Sequence, residues 1–206
     1  MPTVVTSSRT LPHSDGLRRA RAADRLPGDP GVWVFIAADM AAFALFFLAF
    51  AAGRLAAPAL YEKSRQALDP AIGLLNTLIL LTSGWLMVQA VAAGRDGDRP
   101  RVLRFLALTV LVGCGFALTK VLEYATKIRA GITMLTNEFF MYYFILTGIH
   151  FLHFVIGIIV LVVCLMKARR EPLDARFTVW IESAGSYWHM VDLLWIVLFP
   201  LLYLLR

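Results

Sequence analysis

Apolar residues fall into five long runs separated by short polar joints, and that alternation organises the chain. The runs cover approximately Gly31–Gly53, Ala71–Ala93, Val102–Tyr124, Glu138–Met166 and Ala184–Leu205. At about 1.5 Å of rise per helical residue, each is long enough to cross roughly 30 Å of hydrocarbon. The pattern predicts an all-α, polytopic membrane protein, a bundle of five transmembrane helices. The fourth run is overlong and should tilt or protrude. The joints are a 54–70 loop with Pro58 and Pro70, a basic 94–101 turn, a 125–137 loop and a 167–183 loop with Pro172. None has room for a soluble domain. Residues 1–30 show no apolar period and carry five Arg, which predicts a flexible basic tail on the membrane surface ahead of a transmembrane domain over 31–206. The first run is too long for the core of a cleaved signal, so it is expected to stay.

Composition agrees with that architecture. Hydrophobic residues make up 59% of the chain and charged ones 17%, with a mean hydropathy of +0.71, which excludes a soluble domain around one large core. The net charge of +6 would point to nucleic acid in a soluble protein. Here the basic residues gather between apolar runs, so topology accounts for them and no nucleic-acid partner is implied. Of the 20 Lys and Arg, thirteen lie on the side of the tail and of the second and fourth joints, and seven on the other. That bias places the N-terminus in the cytoplasm and, after five spans, the C-terminus in the periplasm. Cys114 and Cys164 lie in separate apolar runs without a CxxC or haem-attachment context, and read as small buried hydrophobes.

Candidate chemistry lies in the polar groups inside the runs, because an ionisable side chain in hydrocarbon is costly unless it finds a partner or water. Asp39, eight residues after Gly31, has no Lys or Arg within a helical turn and must be neutral, hydrated or paired with another helix. His150 and His153 share a face of the fourth helix. In the closing stretch Ile181–Leu205, His189 and Asp192 share a face near Glu182 and Tyr187, while Trp188, Asp192 and Trp195 follow a neighbouring stripe. Compatible depths lead us to expect Asp39 and His153 to receive the polar edge of this closing helix, with Asp39 within one water-bridged hydrogen bond of His153 or His189. Two readings of Asp39, His150, His153, His189 and Asp192 stay open: interhelical hydrogen bonding, or proton exchange. Two histidines at i and i+3 could start a metal site. The chain nevertheless lacks Cys clusters, Glu-x-x-His and phosphate loops, so no metal site and no catalytic residue is assigned. Asn76, with Ser83 and Gly84, reads as a close-packing position. Lys120 and Glu123 read as an interfacial ion pair, and Trp33, Trp180 and Tyr203 as aromatic belt residues.

Five segments, taken together, resemble subunit III of the haem-copper oxidases over essentially all of residues 31–205. They are GVWVFIAADMAAFALFF (31–47), LLNTLILLTSG (74–84), Glu123-Tyr124, LTGIHFLHFVIG (146–157) and ESAGSYWHMVDLLWIVLF (182–199). A TGxHxxHxxxG helix is carried by Thr147, Gly148, His150, His153 and Gly157. The E-x-x-x-x-YWHxVDxxW helix after it is carried by Glu182, Tyr187, Trp188, His189, Val191, Asp192 and Trp195. The resemblance implies an all-helical bundle with a lipid-filled cleft and a chain that binds no haem, copper or other cofactor itself. It implies structural phospholipid, with haem and metal in a catalytic haem-copper partner subunit of a bacterial inner-membrane complex. The implied role is to stabilise that subunit, bind membrane phospholipid and assist proton or gas-substrate supply. Asn76, Glu123, Glu182, Tyr187, Trp188 and Trp195 would then serve packing or lipid contact. Two departures are visible. The full-length family form has seven spans against five here, so the cleft is not expected to form as in that form. Asp39 also stands where oxidase members usually hold Glu, one methylene longer. Both departures look like the nitric oxide reductase-associated branch, which accompanies denitrification enzymes; the alternative is subunit III of a proton-pumping cytochrome c or quinol oxidase. A stand-alone proton channel or carrier is a different class, disfavoured because no inverted repeat or Gly/Pro-broken helix pair is visible.

Overall fold

A computed structural model describes residues 26–205. Its helices are α1 (Pro30–Ala56), α2 (Pro58–Arg65), α3 (Pro70–Arg95), α4 (Arg99–Arg129), α5 (Glu138–Arg170) and α6 (Ala175–Phe199), which continues into a π-helical turn, Pro200–Leu204. No strand occurs among the described residues. All but α2 are long and apolar enough to cross a membrane, which makes this a multi-pass membrane protein.

The spans begin on short polar side chains that accept from the exposed N–H groups of the first turn, the usual way a helix start is satisfied. Asp29 accepts from Gly31 N at 2.7 Å, Asp69 from Ala71 N at 2.8 Å and Asp174 from Phe177 N at 2.9 Å. Asp98 and Asn137 do the same for Arg101 N and Phe140 N. Pro30, Pro58 and Pro70 occupy the first position of their helices, where a missing N–H costs nothing.

Two joints differ from expectation. The 54–70 joint contains α2, opened by Pro58 and braced by Glu62 and Arg65, whose charged atoms approach to 2.7 Å. The last span starts at Ala175, nine residues before the expected Ala184, so the 167–183 loop shrinks to residues 171–174. Its first turns are amphipathic: Phe177 and Ile181 are buried while Arg176 and Trp180 are exposed. The expected tail also shortens. Residues 1–25 lie outside the described residues, but Gly28 N donates to Glu182 Oε2 and Asp29 N to Ser183 Oγ, both at 2.9 Å. Gly28 has φ +79°, and a Cβ there would press on Ser183, so this approach requires glycine.

Helices α3, α4, α5 and α6 pack as a closed four-helix ring in which each touches the next and α6 returns to α3. Helix α1 leans outside the ring against α5 and α6, and α2 lies against α5. Within the ring Trp188 is fully buried in a slot floored by Gly113 and Gly157. A Cβ at Gly157 would stand 2.8 Å from the indole, which is why this helix crossing admits no larger residue without a shift. Polar side chains stitch α3 to α4: Thr119 Oγ1 donates to Asn76 Oδ1, and Ser83 Oγ to the Thr109 carbonyl at 2.9 Å. Helix α1 is bound far less. Only Phe43 and Phe50 are buried in it, the latter edge-on to Tyr61 and Tyr142.

Candidate functional site

Asp39 of α1 meets His153 of α5, with Oδ1 3.1 Å from Nε2 and both side chains largely enclosed. The other ring nitrogen, Nδ1, lies 2.8 Å from the Ile149 carbonyl one turn back. A carbonyl only accepts, so Nδ1 carries a proton. The contact between Asp39 and Nε2 then holds one proton when the pair is neutral overall, on the carboxyl or on the imidazole. Phe43 closes one side, edge-on to His153 at 5.7 Å, and Tyr187 donates to the His153 carbonyl at 3.1 Å. Asp39 Oδ2 is buried with no hydrogen-bond partner among the described residues.

Deeper in the ring, Lys120 is fully buried, contrary to the interfacial ion pair expected of Lys120 and Glu123. Its ammonium donates to Glu123 Oε2 at 2.9 Å and to Tyr203 Oη at 3.0 Å. It also lies 5.0–5.6 Å from the ring centres of Tyr124, Tyr143, Trp195 and Tyr203. Glu123 Oε1 accepts from Tyr143 at 2.8 Å and Tyr203 at 2.7 Å. Tyr203, expected in the aromatic belt, is buried here because α6 ends in a π-helical turn. Pro200 lacks an N–H and its ring crowds the carbonyl four residues back, so the last turn widens.

Histidines three apart do not converge. His150 points into the ring between Phe116 and Trp195, at 5.6 and 5.4 Å, and neither of its nitrogens has a hydrogen-bond partner among the described residues. The closing helix likewise divides its polar residues, which corrects the expectation that Asp39 and His153 receive them together. Tyr187 turns toward α1 and α5, whereas His189, two residues and about 200° later, turns toward α3. Its Nδ1 is 3.7 Å from Asp192 Oδ2, and both groups crowd Gly84 of α3. Glu182 serves as an anchor, binding Arg95 Nε at 2.7 Å besides the Gly28 N–H. Trp195 Nε1 donates to Thr77 at 3.1 Å, and Asn76 is wholly buried.

Two of these contacts join different helices, Asp39 with His153 and Glu182 with Arg95, whereas Lys120 with Glu123 and His189 with Asp192 pair within α4 and within α6. No group of three or more metal-ligating side chains forms among the described residues. Such pairs can fix helix positions and hold protons. Sequence reasoning missed Tyr143 as a partner of Glu123. Its signal was weak, a tyrosine in an aromatic run whose facing direction only packing decides.

Comparison with known proteins places this geometry. The family model described as cytochrome c oxidase subunit III matches residues 27–205. A protein named cytochrome c oxidase subunit 3 from Synechocystis sp. is 32% identical over 176 residues, 85% of this chain and 74% of that protein. Proteins of the same name from Prototheca wickerhamii and Pelomedusa subrufa are 35% and 32% identical, each over 84% of this chain and 67% of their own length.

Proposed function

The chain belongs to the cytochrome c oxidase subunit III family, a non-catalytic subunit of an oxidoreductase complex, and from that premise we propose that it stabilises the catalytic haem-copper subunit of a respiratory complex. The observation that carries this reading is the use of buried polar groups to join helices, Asp39 with His153 and Glu123 with Tyr143 and Tyr203, which builds a scaffold. The topology that fits places the N-terminal side of α1, with Arg95, Arg99, Arg169 and Arg170 nearby, in the cytoplasm of a bacterial inner membrane. Purification in mild detergent should bring down a haem-containing, multi-span partner. A colourless chain that purifies alone would overturn the reading.

Two further roles belong to it. The one-proton contact of Asp39 with His153 supports assistance to proton supply: Asp39→Asn should slow proton uptake by the assembled complex, and an unchanged rate would leave the pair a latch. A cavity of about 370 Å³ between α1 and the α5/α6 pair, walled by Val32, Phe35, Val160, Trp180 and Tyr187, supports binding of a phospholipid acyl chain. Native mass spectrometry should find lipid retained by the wild type and lost from Val160→Trp. Asp at position 39, in place of the longer acid, favours a nitric oxide reductase as partner over the oxidase that the relatives' names suggest. The haem absorbance spectrum and mass spectrometry of the co-purified subunits decide between them.

A further inference from the structure

One ionisable side chain in the middle of a span faces outward. His189 has a side chain 43% exposed and lies roughly 21 Å from the start of α6 at about 1.5 Å per residue, close to the middle of the stretch Ala175–Leu204. Gly84, which it faces, is likewise central in α3. Every other exposed charged side chain among the described residues of the spans lies within two turns of its helix's end. Ionisable groups at mid-bilayer depth face protein or a water-filled cavity rather than lipid. Among the described residues His189 is unfinished: Nδ1 is 3.7 Å from Asp192, too long for a full hydrogen bond, and Nε2 has no partner.

The surface around it is built for close approach. Leu78, Leu81, Trp85 and Val88 of α3 and Leu193 and Ile196 of α6 are all well exposed. From His189 toward the N-terminal end of α6, on the same face, runs a groove of about 240 Å³ lined by Val88, Ala92, Gly185 and Ser186 and reaching Pro27 and the Arg95–Glu182 ion pair. Small residues along such a groove let a second helix backbone come near, and a polar side chain in it supplies the interhelical hydrogen bond. Helices α1 and α2 do not cover it, since both pack on other sides of the ring.

We propose that the α3/α6 face seats a transmembrane helix of the haem-bearing catalytic subunit, and that this helix presents a hydroxyl side chain to His189 at mid-membrane. A hydroxyl fits because it both donates and accepts. It completes Nε2 whether the proton between His189 and Asp192 sits on the imidazole or on the carboxyl. The inference rests on the reading that the chain assembles with such a subunit.

The test uses the assembled complex in native membranes. A photo-crosslinking residue at Trp85 or Leu193 should give an adduct identified by mass spectrometry as the haem-bearing subunit, while Leu118 of α4 and Leu45 of α1 should not. His189→Leu should lower the fraction of that subunit retained in mild detergent about three- to tenfold, and His189→Gln, which keeps hydrogen-bonding capacity, should restore most of it. Adducts only with lipid or a second copy of this chain, equal adducts from the α4 position, or retention unchanged in His189→Leu would each overturn the proposal. If the haem-bearing subunit co-purifies but crosslinks elsewhere, only this inference fails. If no haem protein co-purifies, the underlying reading fails with it.

Discussion

Lys120 is the residue whose neighbours most constrain the interior. A fully buried ammonium survives because Glu123 neutralises it, two tyrosines share the carboxylate, and four aromatic rings surround it. Lys120→Met should therefore destabilise the detergent-solubilised protein by about 3–5 kcal/mol by leaving Glu123 uncompensated. The double variant Lys120→Met/Glu123→Gln should recover more than half of that in thermal unfolding; additive losses would mean that the pair does not act as a unit. Outside the spans, burial and then the negative charge of Glu138 push the Tyr61 phenol above its ordinary value near 10. A raised phenol favours the folded state below the unfolded value, and that contribution fades as pH climbs through the folded one. The absorbance difference between wild type and Tyr61→Phe should accordingly show phenolate only well above pH 10. The spacing of Lys120 and Glu123 is legible in the sequence. Their burial is not, because it depends on Tyr143 and Tyr203, which come from other helices.

At the scale of elements, helix existence was readable and helix ends were not. Uninterrupted apolar runs announce α1, α3, α4 and α5, but the first turns of α6 mix Arg176 and Glu182 with Phe177 and Ile181 and so resemble a loop. The π-helical turn is invisible for a different reason: Pro200 predicts a disturbance, and only packing chooses its form. Restoring a regular helix with Pro200→Ala should rotate Tyr203 away from Glu123, and its loss of thermal stability should match that of Tyr203→Phe. The Trp188 slot gives a second check. Gly157→Ala should cost about 1–3 kcal/mol through overpacking, partly relieved when Trp188→Phe shortens the intruding ring.

The molecule as a whole is a tight ring with one loosely held helix. Polar and backbone contacts tie α1 to it at Asp39 with His153, at Arg54 with the Leu205 carbonyl, and at residues 28 and 29 with Glu182 and Ser183, beside few buried apolar side chains. Asp39→Ala combined with Glu182→Ala should raise hydrogen exchange across α1 while α3–α6 keep their protection; uniform loosening would contradict this division. Depth along the helices made the Asp39 contact foreseeable. Which histidine it met was not, because a rotation of some 200° about α6 separates the two faces and no periodicity in one helix fixes its rotation against another.

That long-range contact also bears on how the protein is made. Helix α1 leaves the ribosome ahead of α5, and its acid must enter the bilayer before the histidine that answers it has been synthesised. On the order of a hundred residues separate the two, which at roughly 5–20 residues per second is a wait of several seconds or more. During that interval Asp39 has to be protonated, hydrated or sheltered by the insertion machinery, and α1 can find its seat only once α5 arrives. A helix made ahead of its partners is thus fastened only after they arrive.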